Sequence, residues 1–268
     1  MKTPTENIAT AQGMNDFSKL YKYKAIDKNL CELIAKNELF FSGRRLLNDP
    51  NEAILRFTNQ QVLVKGGLCP NRTEVLKAPQ YHGIDDYYFF CMSRELADIP
   101  MWGYYGDNHR GVCLQFDFGT AIRQWRDQPE KPWKIETDHG IPFIRDVHYQ
   151  EDLDEFTLAP DGTPNLTPEQ ADEFGFNKLS CWSREQEVRM RLDQSSIAKD
   201  ETMPEGLHWR FEKKSLASIY FGVRTDKKNK AKLLDLTRSL GYDCAFFEGY
   251  DIKRVGSQQL IAFRPYVE

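Results

Sequence analysis

The run from Cys181 to Leu192 constrains the fold most, because its polar and apolar side chains alternate. Read as a strand, it places Trp182, Val188, Met190 and Leu192 on one face with Arg184 and Gln186. Ser183, Glu185, Glu187, Arg189 and Arg191 fall on the other. Carboxylates two residues apart on a strand face stand about 6 to 7 Å from each other, so both can reach one small ligand. Their proximity raises the proton affinity of whichever is less compensated by Arg189, an arrangement that general acid, base and cation-stabilising chemistry uses. The same pattern also fits a solvated edge strand whose Glu and Arg side chains pair with a neighbour.

The remaining chain alternates strand and helix signals irregularly. Lys19 to Tyr23 reads as a strand, and Asp27 as the cap of a helix whose apolar face is Leu30, Leu33 and Ile34 and which stops near Asn37. Leu39-Phe40-Phe41-Ser42 is an apolar run of strand length leading into Gly43, and Asn48-Asp49-Pro50-Asn51 is turn chemistry. A strand over Tyr87 to Met92 leads through Asp98, a cap for a turn that puts Trp102 and Tyr105 on one helical face. Asp107 to Gly111 is then a turn into a strand over Val112 to Phe118. Thr167-Pro168-Glu169-Gln170 fits a capping box within a polar surface excursion at about 150–173. Near the C-terminus come an apolar run from Leu216 to Phe221 and a helix from about Asp226 to Leu240 closed by Gly241. Strands near Cys244 to Phe247 and Gln259 to Phe263 finish the chain. Strands outnumber helices and are only sometimes separated by them, which predicts an α+β fold of mixed, mostly antiparallel sheets over a doubly wound parallel one. The expected organisation is a polar lead at 1–18 and a single α+β domain over 19–268.

Charge and cysteine usage exclude several classes. Thirty-six Lys and Arg against 40 Asp and Glu leave a net charge of -4, which supplies no global attraction for nucleic acid or an anionic membrane. No apolar run reaches the roughly 18 residues of a spanning helix and no signal peptide is evident, so a cytoplasmic protein is expected. The six cysteines form no short paired spacing and read as reduced core residues, and no histidine pair has the spacing of a helical zinc site; no metal is expected. Walker, dinucleotide-glycine and serine-hydrolase signatures are missing from the sequence.

Ser42-Gly43-Arg44-Arg45 has the makings of an anion site, and equally of a basic surface turn. Trp102, Tyr104 and Tyr105 can present a flat face to a heteroaromatic ring, with His109 and Arg110 as polar contacts, or they can pack in the core. Cys181 has no adjacent histidine and is a poor nucleophile candidate.

Four segments together resemble a bacterial domain family of uncharacterised function. They are Leu20-Tyr21-Lys22-Tyr23; Phe40-Phe41-Ser42 with Asn48-Asp49-Pro50; Met101 to Gly111; and Trp182 through Glu185, Glu187 and Arg189. That family is in turn distantly similar to ADP-ribosyltransferase-like domains, including DNA-modifying toxins and abortive-infection proteins of phage defence. The resemblance implies an ADP-ribosyltransferase-like fold around a central cleft, NAD as co-substrate, and a macromolecular acceptor, protein or nucleic acid. It also implies a defence-system partner, while the charge balance and the lack of a long apolar run predict no membrane partner. Carried over by position, Lys22 is the first-strand NAD contact with Tyr21 beside it, Ser42 the second-strand hydroxyl, and Glu187 the catalytic carboxylate. Glu185 is the acceptor's base, Trp102 or Tyr105 the nicotinamide stack, and Arg44, Arg45, Asn48 and Arg110 further cofactor contacts. Many relatives carry His or Arg where Lys22 stands, which leaves a non-catalytic sensor or interaction module as the rival reading. A nucleic-acid-acting enzyme using Arg44, Arg45, Arg189 and Arg191 on phosphates is a further alternative.

Overall fold

The computed structural model describes residues 17–49, 87–118, 142–152, 173–193 and 205–267, with short pieces at 56–57, 63–64, 67–68, 155–158, 164–165, 167 and 170. Most of the polar lead, Pro50, Asn51 and Cys69 lie outside these residues. In chain order the main elements begin with β1 (Leu20–Lys24), α1 (Lys28–Lys36), β2 (Glu38–Gly43), β3 (Tyr87–Ser93), α2 (Ile99–Tyr104) and β4 (Val112–Phe116). Then come β5 (Phe143–Asp146), β6 (His148–Gln150), β7 (Asn177–Leu179), β8 (Glu187–Asp193) and β9 (Gly206–Arg210). The chain finishes with β10 (Leu216–Phe221), α3 (Lys227–Ser239), β11 (Ala245–Val255) and β12 (Gln258–Pro265). The fold is α+β, and all but a few of its strand pairs are antiparallel.

Contacts divide the chain into two compact units, one drawn from 1–35, 95–135 and 212–268 and the other from 36–94 and 136–211. In the first, β1 pairs β4, β4 pairs β10 and β11 pairs β12, all antiparallel, while β10 and β11 run parallel with α3 between them in sequence. Asp226 caps α3 by accepting from the Asn229 N–H at 2.8 Å, and Gly241 closes it at φ +72, the left-handed conformation that a glycine adopts at no steric cost. Trp102 centres this unit's core: its ring is fully buried edge-on to Tyr23 at 5.2 Å, and its indole N–H donates to the Leu96 carbonyl at 2.6 Å. Burying an aromatic of that size removes about 200 Å² from water, worth roughly 5 kcal/mol. Asp98 caps α2, as its spacing predicts, by accepting from the Met101 N–H at 3.0 Å.

The second unit is a five-stranded antiparallel sheet in the order β9, β2, β3, β8, β5. A separate parallel pair joins β6 to β7, with Lys178 opposite Tyr149. Phe41, Phe89, Phe90, Val188, Met190, Leu192 and Trp209 are buried within this unit. The capping box forms as its residues predict: the Thr167 N–H donates to Gln170 Oε1 and the Gln170 N–H to Thr167 Oγ1.

Two expectations need correction. The Cys181 to Leu192 run is not one strand: Ser180–Glu185 forms a 3-10 helix, Gln186 takes a left-handed conformation at φ 40, and the strand begins only at Glu187. The polar stretch Ser183 to Gln186 contains no β-branched residue to favour extension, and reversal there is stabilised when the Gln186 N–H donates to the Ser183 carbonyl at 3.1 Å. The cysteines also differ among themselves, since Cys113 is buried whereas Cys181 is exposed.

Candidate functional site

The second unit builds a charged cluster inside itself. Strand β8 has neighbours on both sides, β3 and β5, so it is not an edge strand. Glu187 at 5% exposure, Arg189 at 0% and Arg191 at 3% are buried together with the apolar Val188, Met190 and Leu192. Strand β7 delivers Lys178, itself 1% exposed, and the 3-10 turn delivers Glu185. That turn is pinned from below, where the Ser93 hydroxyl donates to the Glu185 carbonyl oxygen at 2.6 Å. Two carboxylates thus meet one ammonium, although one of them comes from a turn and not from the strand.

Lys178 Nζ lies 2.5 Å from Glu185 Oε2 and 3.0 Å from Glu187 Oε2. Arg189 donates from Nε to Glu187 Oε1 at 2.6 Å and from Nη2 to Glu187 Oε2 at 3.0 Å, a two-pronged grip, while its Nη1 reaches the Gly175 carbonyl at 2.6 Å. The four side chains carry two positive and two negative charges, so the group is neutral as a whole, which a buried ionic cluster needs to offset its desolvation. Burial alone would push the Glu187 carboxyl up. The Arg189 guanidinium with its hydrogen bonds, and then the Lys178 ammonium, outweigh that and hold it well below the usual carboxylate range. The Glu187 backbone N–H donates to the Tyr149 hydroxyl at 2.9 Å, and burial pushes that phenol up to about 12. Lys178 also sits 5.0 Å from the Trp182 ring centroid, a cation–π contact.

Arg191 is committed elsewhere in the unit. Its Nη1 donates to the Phe174 carbonyl at 2.8 Å and its guanidinium lies 4.5 Å from the Tyr87 ring centroid. Arg189 and Arg191 are therefore buried structural cations, which corrects the reading that used them on nucleic-acid phosphates. The other named residues of this unit lie nearer its surface: Ser42 is half-buried on β2 opposite Phe89, Arg44 and Arg45 stand on a single 3-10 turn, and Asn48 is exposed.

Tyr21, Lys22, Trp102, Tyr105 and Arg110 belong to the first unit. Trp102 is a core side chain with its N–H already bonded, so of the two candidate stacking rings only Tyr105, half-buried at the end of α2, retains open surface. Tyr21 is half-buried 6.2 Å from Tyr220, and burial pushes its phenol up to about 12. Arg110 is exposed and pairs with Asp107 at 3.3 Å. It follows three consecutive left-handed residues, Asp107, Asn108 and His109, in the turn that Asp107 to Gly111 predicts.

Lys178 was the residue that sequence reasoning missed. It follows Phe176 and Asn177 and precedes Leu179, with no periodic or motif signal, and its role depends on the β6 to β7 pairing that sets it beside Tyr149. The one signal available was a solitary lysine in an apolar neighbourhood.

Residues 101–190 match a family described as "Protein of unknown function (DUF2971)". That span includes Trp102, Tyr105 and Arg110, and all four members of the buried cluster. No curated protein and no solved structure matches the chain. Among the described residues no group of His, Cys, Asp and Glu has the makings of a metal site, and no helix is long and apolar enough to cross a membrane.

Proposed function

We propose that the protein is an ADP-ribosyltransferase-like enzyme that uses NAD as co-substrate and modifies a macromolecule, protein or nucleic acid, in phage defence. The observation that carries this reading is the convergence of Glu185 and Glu187 on Lys178. Breaking the bond between ribose and nicotinamide builds positive charge on the sugar, which a fixed carboxylate stabilises. Both oxygens of Glu187 are held, so we assign it to anchoring Lys178 and Arg189. Glu185, on a turn and with a side chain twice as exposed at 10%, is assigned to the developing cation and to the acceptor's proton. Ser42, Arg44, Arg45 and Asn48 of the same unit are the assigned NAD contacts. Calorimetric binding of NAD and nicotinamide release followed by NMR test the proposal; no binding at millimolar NAD rejects it.

One observation favours a second reading. A glutamate gripped by an arginine and a lysine in the interior is what a purely structural ion cluster requires, and it suits a non-catalytic recognition module. A stable partner that co-purifies with both wild type and Glu185→Gln, together with no turnover of NAD, supports that module.

A further inference from the structure

We propose that the chain pairs with a second copy of itself along the outer edge of β11, about an axis at Ile252. The observations all lie in the C-terminal hairpin. Strand β10 covers β11 only from Ala245 to Glu248, whereas β11 continues to Val255 paired with β12 on its other side. Tyr250 at 44% exposure, Ile252 at 50% and Val255 at 62% are large apolar side chains on this stretch. A strand edge that its neighbour leaves uncovered over this length, with large apolar side chains among its charges, is a template for another strand.

The edge also has its donor available. The Ile252 N–H donates at 2.8 Å to the side chain of its own neighbour, Asp251, a local bond that an incoming carbonyl can replace. An antiparallel two-fold passing through Ile252 makes Ile252 face its own copy as a hydrogen-bonded pair. It then sets Asp251 opposite Lys253 of the other copy on either side of the axis, and the regular ladder ends at the β-bulge between Gly249 and Asp251. Opposite charges directly across a ladder are favourable, and the two-fold makes this pairing twice.

Neighbouring registers lack this match. Centring the axis on Asp251 sets two aspartates face to face, while centring it on Lys253 or Arg254 does the same with two cations. The charge order along the strand therefore selects one symmetric register and one occupant, the strand's own copy.

Sedimentation velocity over a wide concentration series tests this on the full chain. Wild type is expected to shift from monomer to dimer as concentration rises. Asp251→Lys and Lys253→Asp, each of which sets like charges across the axis, are expected to shift the midpoint at least about tenfold upward. The double variant D251K/K253D restores the opposite pairing and is expected to return the midpoint to near the wild-type value. Both substitutions are at exposed positions, and thermal unfolding checks that each of the three variants is folded. A wild type that stays monomeric throughout overturns the proposal and leaves the edge to a strand of another protein. A dimer indifferent to both single substitutions, or not recovered by the double variant, overturns it equally.

Discussion

Replacing Lys178 with methionine keeps most of the side chain's length and apolar volume and removes only its charge. The ammonium is 1% exposed and holds Glu185 at 2.5 Å and Glu187 at 3.0 Å, so solvent has no room to take its place. Glu187 keeps Arg189, whereas Glu185 loses a charged partner and the cluster changes from neutral to a net charge of minus one. Removing one partner of a buried ion pair costs roughly 3–5 kcal/mol, because the orphaned charge stays desolvated. For a chain of this size that lowers the melting temperature by roughly 10 °C. The assay is thermal unfolding of wild type and Lys178→Met at neutral pH and again under mildly acidic conditions. The variant's deficit should shrink on acidification. A carboxyl left without its cation has its folded pKa raised, so its stability is full when protonated and is lost as pH rises through that pKa. Wild type behaves in the opposite sense: the folded pKa of Glu187 is depressed, so its contribution is present above the unfolded carboxylate pKa and disappears only in strong acid. A Lys178→Met protein that melts within about a degree of wild type, with no change in its pH profile, refutes the claim that the ammonium holds the cluster together.

Three smaller predictions concern the first unit. Asp98→Ala removes the α2 cap, in which the carboxylate accepts from the Met101 N–H at 3.0 Å, and should cost about 1 kcal/mol by chemical denaturation. In Gly111→Ala the new methyl meets the Lys24 carbonyl oxygen and lies 2.9 Å from that of Gly106, neither a flexible side-chain end; overpacking should cost roughly 1–3 kcal/mol in the same assay. The Lys24 amine is pushed down to about 8, first by burial and then by Lys22, so NMR of methylated lysines should show a midpoint near that value. Its folded pKa lies below its unfolded one, so stability should rise with pH from about 8 to about 10.4, and Lys24→Met should remove that rise.

Local chemistry was legible where a single side chain decides the backbone. Asp27 accepts from the Leu30 N–H, Leu30, Leu33 and Ile34 are buried, and the chain leaves α1 at Asn37 with φ 46, all as the residues predict. Asp98, Asp226 and Gly241 likewise mark their helix ends where their capping chemistry places them. Alternation failed at Ser183 to Gln186 because polar residues in a reversal and in a half-exposed strand give the same binary pattern. The hairpin was underestimated for the related reason that Tyr250 to Val255 carries mixed polar and apolar residues exposed on both faces, so no inward period marks it. At the cluster, sequence identified both carboxylates and Arg189. It could not supply Lys178, whose position is fixed by the pairing of strands β6 and β7.

The division of labour between the two glutamates is tested most directly by nicotinamide release from NAD, compared for wild type, Glu185→Gln and Glu187→Gln, each rate corrected for its folded fraction. The account predicts turnover by wild type, a loss of at least about a hundredfold in Glu185→Gln with the fold intact, and a Glu187→Gln protein that is mainly less stable and keeps measurable activity. A wild type that releases no nicotinamide contradicts the NAD reading. A folded, inactive Glu187→Gln beside an active Glu185→Gln contradicts the assignment of the two carboxylates.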